Sequence, residues 1–216
     1  MQNTDKSITE YPFNIKKMSS SGCLFDIVKL SDVSKNVISR MTADEVYEGL
    51  YGWAAEFDPE FAAELAASPE YAKEIISIGR GGKKPRKDYG TWVELREYMS
   101  FFYDRYFTVK EEYPERFDKK LIAGVLSDFL ESYDHADTSD VWFAKVKEIT
   151  DKIGFASDMK AYKANPEAFG GNVADVSMFV RVAVTGKTNA PDLYTVMHII
   201  GCERSVARIK NMINSL

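Results

Sequence analysis

Apolar positions recur at helical spacing along most of the chain. The clearest run covers 117–133, where apolar residues return every three or four positions, as on one face of an α-helix. Asp58 and Ser68 are each followed by a proline, which predicts two short helices over 59–67 and 69–78. Thr42 and Glu45 have the spacing of a capping box, which predicts the start of a further helix.

Weaker patterns predict three more elements. Ser31 or Asp32 is expected to cap a short helix that ends near Ser39, and 91–107 is expected to be one continuous helix. Ser139 or Asp140 is expected to cap another helix, ending before Gly154. The inward positions of that helix are predicted to be Val141, Phe143, Val146 and Ile149.

The segment 176–184 is almost entirely apolar and carries one charge, Arg181. A buried guanidinium without a partner is very costly, so Arg181 needs an acid of the fold or a phosphate or base edge of a nucleic acid. The many valines favour a strand by propensity alone. We interpret the segment as a helix because no partner strand is visible and its neighbours are helical.

After a turn at 185–189, Pro191 is predicted to be the first residue of the next helix. That helix is expected to bury Leu193, Val196, Met197 and Ile200 and to end at Gly201. The last helix is then predicted to bury Val206, Ile209, Ile213 and Leu216.

Residues 80–87 form the one dense basic run of the chain, R-G-G-K-K-P-R-K. Its glycines and proline keep it out of a helix. One interpretation is a solvated loop. The other is a loop that contacts phosphates or bases, since guanidinium and ammonium groups neutralise a nucleic-acid backbone.

Composition sets limits on these interpretations. The 216 residues can form one large domain or two small ones, and a net charge of −5 argues against a nucleic-acid partner unless the basic residues cluster. Cys23 and Cys202 lie far apart, which suggests a reducing compartment. A polar N-terminus and no long apolar run make the cytoplasm the expected location and a membrane partner unexpected. His135 and His198 do not have the spacing of metal ligands, and no catalytic motif is found.

The C-terminal sequence carries a family resemblance. R-V-A-V-T-G-K-T, then P-D-L-Y and I-I-G-C-E-R-S, closely resembles the end of bacterial glutamyl-tRNA synthetases. K-K-M-S-S-S-G-C-L-F, near the front, is similar to the segment after the catalytic half in one branch of that family. K-K-M-S-S-S is not interpreted as the ATP-binding KMSKS loop of class I synthetases, because a serine replaces its second lysine.

The resemblance implies an all-α fold with two small helical bundles, the anticodon-binding helix cages, after a short non-helical or mixed connecting segment. It places that segment at 1–41, a remnant of the connecting or stem-contact region. The first anticodon-binding domain is expected at 42–112 and the second at 113–216. The helical interpretation of 176–184 also follows from it.

The resemblance also implies a site. The arginine of the R-V-A motif and the proline and leucine of the next helix contact the anticodon in the family, and they match Arg181, Pro191 and Leu193. Arg86, with Lys84 in support, matches a basic element that faces the anticodon, and Lys187 of the adjacent turn joins the set. Ala190 stands where a threonine is common, which removes a hydroxyl from that position.

The implied function is to select a tRNA for glutamylation, as the C-terminal part of a glutamate–tRNA ligase. No catalytic site or cofactor is expected in this chain, whereas the whole enzyme would use ATP and Mg²⁺. The expected partners are glutamate tRNA, with glutamine tRNA left open, and the catalytic half of the same enzyme; the chain is expected to be a monomer. The alternative is a free-standing helical module that binds other proteins.

Overall fold

The computed structural model describes residues 14–17 and 25–216, which form eleven α-helices and three short 3-10 turns. The helices are α1 Ile27–Ile38, α2 Ala43–Phe57, α3 Pro59–Ala67, α4 Pro69–Ser77, α5 Trp92–Met99, α6 Lys119–Ser132, α7 Ser139–Lys152, α8 Met159–Ala164, α9 Val173–Thr185, α10 Leu193–Ile200 and α11 Cys202–Ser215. Within the described residues there is no strand, only an isolated bridge between Ala156 and Asn172. The predicted all-α fold is confirmed.

Side-chain caps explain where most helices begin. The capping box of α2 is formed as predicted, with Thr42 accepting from the Glu45 N–H and the Glu45 carboxylate accepting from the Thr42 N–H. Asp58 caps α3, whereas Ser68 stands before α4 without a capping hydrogen bond from its side chain. The valine-rich segment is helical, because Asn172 and Asp175 form a second capping box that starts α9.

Two predictions in the first half of the chain are wrong. Helix α1 begins earlier than expected, because Asp26 rather than Ser31 or Asp32 accepts the capping hydrogen bond, from the Lys29 N–H. Helix α5 ends at Met99, so 91–107 is not one helix, and the chain continues as a 3-10 turn.

The early end of α5 has a physical cause in the last helix. The carbonyl oxygens of Phe101 and Phe102 would continue the hydrogen-bond ladder of a longer α5. They instead accept hydrogen bonds from Arg208 and Arg204 of α11, at 2.8 and 3.0 Å.

Helix α7 differs from its prediction in both its cap and its buried face. Thr138 caps it, in place of Ser139 or Asp140. Trp142 is buried against the ring of Phe129 of α6, whereas Val141 and Phe143 point outward and are 45% and 39% exposed. The short helix α8 was not predicted at all.

The start of α10 is also corrected. Asp192 is the N-cap and accepts from the Thr195 N–H at 2.9 Å, so the helix begins at Leu193 and Pro191 precedes the cap. In α11 the buried face consists of Ser205, Arg208, Ile209 and Met212, and Val206 and Ile213 are only partly covered.

The two halves of the chain share one continuous cluster of buried side chains. Helices α2 to α5 surround one end of this cluster, and α6, α7, α9 and α11 surround the other. Arg204 and Arg208 of α11 tie the halves together through the carbonyl oxygens of the 3-10 turn Ser100–Phe102, and Arg204 also donates to the Tyr71 hydroxyl at 3.0 Å. The division predicted between 112 and 113 falls in a segment without regular secondary structure; as a domain boundary it stays a prediction.

Two sequence features fall at or beyond the edge of the described residues. Lys16 and Lys17 lie in a short 3-10 turn, and the rest of K-K-M-S-S-S, with Cys23, lies outside the described residues. In 14–17 and 25–216, no helix combines the length and the apolar character needed to cross a membrane.

Candidate functional site

Two loops from opposite halves of the fold meet at a small cleft. One is the basic loop after α4, and the other is the turn between α9 and α10. The cleft has a volume of about 160 Å³. We name it the loop cleft; it is lined by Arg86, Asp88, Tyr98, Phe101, Lys187, Asn189, Ala190 and Pro191. The fold therefore brings together three residues that the sequence had grouped only by resemblance: Arg86, Lys187 and Pro191.

Arg86 is held in place at the edge of this cleft. Its backbone N–H donates to the Gly79 carbonyl at 3.0 Å, which closes the basic loop on itself. Its guanidinium donates to both carboxylate oxygens of Asp88, at 2.7 and 2.8 Å. The hydrogen bond with Asp88 raises the pKa of Arg86, so its positive charge is secure at any physiological pH.

Position 79 requires a glycine, because the Arg86 side chain passes close to the backbone there. The φ of Gly79 is +68°, in the left-handed region, and a Cβ there would overlap the Arg86 side chain. Glycine is the residue that adopts such a backbone without strain. The path of the basic loop and the position of Arg86 thus depend on the same residue.

Lys187 reaches the cleft from the other side. Its ammonium lies 3.2 Å from the Glu97 carboxylate and 3.3 Å from the Glu97 carbonyl oxygen, with the Phe101 ring 5.9 Å away. Lys110 also binds the Glu97 carboxylate, at 2.6 Å. Burial alone would raise the pKa of Glu97, but the hydrogen bonds from Lys110 and Lys187 outweigh it and lower that pKa.

The turn that carries Lys187 is fixed to the segment that joins the halves. The Gly186 carbonyl accepts from the Lys110 and Glu111 N–H groups, at 3.0 and 3.1 Å. The Thr188 N–H donates to the Glu111 carboxylate at 2.7 Å, and the Thr188 hydroxyl donates to the same oxygen. These hydrogen bonds lower the pKa of Glu111. Asn189 is left exposed at the tip of the turn.

Arg181 lies on α9, beneath this turn, and is poorly satisfied. Its one hydrogen bond within the described residues is a long one, from NH1 to the Thr188 carbonyl at 3.5 Å. Its Nε is buried without an acceptor in that part of the chain. Burial lowers the pKa of Arg181, and the Asp192 carboxylate opposes that shift only in part. A guanidinium with five donors therefore has unused hydrogen-bonding capacity at this place.

The remaining predicted site residues differ in exposure. Pro191 and Leu193 are both buried, with Leu193 only 3% exposed, so their side chains support the turn from within. Lys84 is exposed but does not line the loop cleft; it faces a second cleft on the other side of the basic loop. The predicted set is thus spread over two neighbouring surfaces and their supporting core.

Comparison with known proteins identifies the family. The sequence model of the family described as "Anticodon binding domain" matches residues 84–213, well over half of the chain. This chain belongs to the anticodon-binding domain family. The match begins at Lys84 and includes Arg86, Arg181, Lys187 and Leu193.

Curated relatives of this anticodon-binding domain are named glutamate–tRNA ligases. One from Acetivibrio thermocellus is 39% identical over 213 residues, which is 99% of this chain and 39% of that protein. One from Sorangium cellulosum is 42% identical over 209 residues, covering 96% and 37%. The chain therefore spans about two fifths of the length of the relatives it matches, and its resemblance to the C-terminal region of these ligases is confirmed.

Solved structures give the same fold. A glutamate tRNA ligase from Elizabethkingia meningosepticum aligns with a TM-score of 0.57 at 18% identity, over 94% of this chain and 35% of that one. The glutamate-tRNA synthetase of Elizabethkingia anophelis aligns with a TM-score of 0.53 at 19% identity, over 94% and 34%. At these identities the likeness concerns the fold alone.

Several residues of the loop cleft were not among the site residues predicted from the sequence. Tyr98 and Phe101 form the aromatic part of the loop cleft, but aromatic residues at helical spacing look like core. Asp88 was missed as the partner of Arg86, although its position two residues later was a usable signal.

The two histidines also came together unexpectedly. The rings of His135 and His198 stack with centroids 4.4 Å apart, and the ring of Tyr194 lies 4.3 Å from that of His198. In the part of the chain that the structure describes, no group of three or more His, Cys, Asp and Glu side chains is placed to hold a metal ion. The stacked rings pack between the α6–α7 turn and α10.

Proposed function

We propose that this chain recognises the anticodon of a tRNA and acts as the tRNA-selecting part of a glutamate–tRNA ligase. The observation that carries the proposal is the half-buried guanidinium of Arg181, which makes one long hydrogen bond within residues 14–17 and 25–216. It lies beneath the turn that lines the loop cleft. Buried charges in folded proteins are normally paired. An RNA base edge or phosphate that reaches this turn would supply the missing acceptors.

The loop cleft suits a splayed-out base. Sequence-specific RNA recognition targets unpaired bases that stack on aromatic side chains and hydrogen-bond through their edges. The cleft offers the partly exposed ring of Tyr98 together with the donors of Arg86, Lys187 and Asn189, over a wall to which the buried Phe101 contributes. Its volume of about 160 Å³ is on the scale of a single base rather than of a double helix.

The net charge of −5 does not oppose this function, because the cations are concentrated where the proposal needs them. Arg86 and Lys187 line the cleft, Arg181 lies beneath the adjoining turn, and the other cations of the basic loop line the neighbouring second cleft. An acidic remainder would repel an RNA from other faces and thereby favour one orientation. The buried Pro191 and Leu193 would act by holding the turn and presenting its backbone.

The rest of the enzyme belongs to the same proposal. Relatives of this chain are more than twice its length, so glutamylation, ATP and Mg²⁺ are assigned to the portion that this chain does not match. Glutamate tRNA is the proposed partner, and glutamine tRNA a further one. We also propose a monomer in the cytoplasm.

One face of α1 supports contact with another protein surface. Ile27 and Leu30 are 68% and 52% exposed, and Val33 and Val37, at 51% and 57%, continue the apolar row at helical spacing. A row of this kind marks an interaction surface. In the proposed enzyme its occupant is the catalytic half of the same chain. The same observation favours the alternative function, a free-standing module that binds other proteins through α1.

The decisive variant is Arg181→Ala. We expect it to weaken binding of a glutamate-tRNA anticodon stem-loop by about 1–3 kcal/mol, the range for one bidentate contact to a base. Lys160→Ala is a suitable control, because Lys160 is an exposed cation on α8 that lines neither the loop cleft nor the second cleft. Unchanged discrimination between the stem-loop and a loop-scrambled copy in a folded Arg181→Ala variant would falsify the role of Arg181. A chain that binds neither RNA would favour the protein-binding alternative.

A further inference from the structure

A second, larger cleft lies on the opposite side of the basic loop. Its volume is about 880 Å³, and it is formed where the C-terminal ends of α1 and α4 meet residues 81–87. We name it the basic cleft; its cations are Arg40, Arg80, Lys83, Lys84 and Lys87. Among the described residues that line it, none is acidic and none is aromatic.

One of these cations builds the cleft and the others are available to a ligand. Arg80 donates to the carbonyl oxygens of Ile38 and Met41, at 2.5 and 2.9 Å, and to the Tyr89 hydroxyl at 2.5 Å. It thereby joins the end of α1 to the end of α4. Arg40, Lys83, Lys84 and Lys87 are exposed, and none of them forms an ion pair with another described residue.

The basic loop therefore has two chemically different sides. The hydrogen bond from Arg86 to the Gly79 carbonyl closes the loop, and Asp88 holds the Arg86 guanidinium in the loop cleft. Lys83 and Lys84, inside the closed loop, face the basic cleft instead. One side has aromatic rings and a fixed guanidinium. On the other side, the described lining residues include exposed lysine ammonium groups and Arg40 but no aromatic ring.

We propose that the basic cleft binds the sugar–phosphate backbone of the tRNA, independently of its sequence, while the loop cleft reads bases. Lysine ammonium groups act as point charges that suit phosphates, whereas base reading uses planar donors and stacking. The proposal rests on the proposed function for the identity of the RNA. It divides the basic run into Arg86, which contributes to specificity, and Lys83, Lys84 and Lys87, which contribute to affinity.

The test uses the 216-residue chain and the double variant Lys83→Ala/Lys87→Ala. The matched control is Lys160→Ala/Lys163→Ala on α8, which removes the same charge from exposed lysines outside both clefts. Affinity is measured at several salt concentrations for a glutamate-tRNA anticodon stem-loop and for a copy with a scrambled loop. Each phosphate contact contributes about 0.7–0.9 to the slope of log affinity against log salt.

We expect the Lys83→Ala/Lys87→Ala variant to lose roughly 1.4–1.8 from that slope for both RNAs, with their affinity ratio unchanged. A slope equal to that of the control variant overturns the proposal. So does a loss confined to the cognate loop, since the cleft would then read bases. If the unmodified chain shows no preference between the RNAs but the slope still falls in the variant, anticodon reading fails and the basic cleft stands. Absence of binding to either RNA at low salt overturns both.

Discussion

Arg86 and Asp88 form a two-point ion pair at the edge of the loop cleft, with Nε 2.7 Å from Oδ2 and NH2 2.8 Å from Oδ1. The pair orients a guanidinium that would otherwise sample many directions on an exposed loop. Asp88 is an acid beside a proposed RNA site, so its charge and its positioning role have opposite effects on binding.

Asp88→Ala separates these two effects. Removing a negative charge should by itself strengthen RNA binding, whereas releasing Arg86 should weaken it. We expect the loss of Arg86 positioning to be the larger effect. The variant should bind the glutamate stem-loop more weakly by about 0.5–1.5 kcal/mol, the value of one hydrogen bond. Glu167→Ala, at an exposed site in the 3-10 turn Pro166–Ala168, removes the same charge and should not weaken binding. Tighter binding by Asp88→Ala would show that Arg86 needs no positioning.

Substitution by methionine, which keeps most of the apolar stem, should affect the stability of two arginine sites in the second half to different extents. Arg208 is buried and donates to two carbonyls, of Phe101 and Val184, and to the Asp104 carboxylate. Arg208→Met should lower the free energy of unfolding by about 3 kcal/mol, since buried acceptors lose their donor. Arg181→Met should change it by less than about 1 kcal/mol, because Arg181 makes one long hydrogen bond.

Denaturant unfolding of the two variants checks this contrast. A loss of several kcal/mol in Arg181→Met would mean that the guanidinium is structural. A small loss in Arg208→Met would mean that the contacts between the halves contribute little to stability.

Stability should fall in acid through Glu97 and Glu111. Hydrogen bonds from Lys110 and Lys187 lower the pKa of Glu97 against the effect of its burial, and those from Thr188 lower the pKa of Glu111. A carboxyl group with a lower pKa in the folded state adds stability above its unfolded pKa, and that stability is lost as the pH falls through the folded value.

The pH range in which this stability is lost lies below about 4.5, close to the ordinary glutamate pKa. Unfolding curves between pH 6 and 3 should show a smaller decline for the double variant Glu97→Gln/Glu111→Gln than for the unmodified chain. Glu56→Gln/Glu167→Gln is the control, since both side chains are exposed and neither forms an ion pair with another described residue. Equal declines in all three proteins would contradict the role of these two acids.

Gly186 should tolerate no side chain. Its φ is +72°, and a Cβ there would overlap the carbonyl oxygen of Thr108. Gly186→Ala should lower the free energy of unfolding by at least about 2 kcal/mol, from left-handed strain together with the clash. Gly52, in the exposed middle of α2, has nothing within 4 Å of its Cβ position. Gly52→Ala should therefore raise stability by about 0.5–1 kcal/mol. A Gly186→Ala protein as stable as the unmodified chain would mean that the α9–α10 turn can shift.

The sequence predicted those parts of the fold that depend on local rules. The capping box of Thr42 and Glu45 is formed as expected, because neighbouring residues determine it. The helix α9 is also formed as expected, but its valines favour a strand, and its prediction came mainly from the family resemblance. The errors occur where distant contacts decide. Helix α5 stops at Met99 because arginines about a hundred residues later donate to the carbonyl oxygens that a longer helix would use. Trp142 points inward because its ring packs against that of Phe129.

The site was predictable only in part, for a similar reason. Resemblance named Arg86, Lys187 and Pro191, and the fold places them around one cleft. No local pattern separates Lys84 from Arg86, two residues apart, although they face different clefts. That separation depends on the hydrogen bond between Arg86 and Gly79, which spacing alone does not reveal.

The central claim, that this chain reads an anticodon, is tested most directly by the preference of the unmodified chain for one RNA over another. Its affinity for a glutamate-tRNA anticodon stem-loop is compared with that for a copy whose anticodon bases alone are replaced, at low and at moderate salt. Salt should weaken both complexes, and the preference should persist, with each replaced base lowering affinity by about 1–3 kcal/mol when its contact is bidentate. Equal affinity for the two stem-loops at both salt concentrations would contradict the claim.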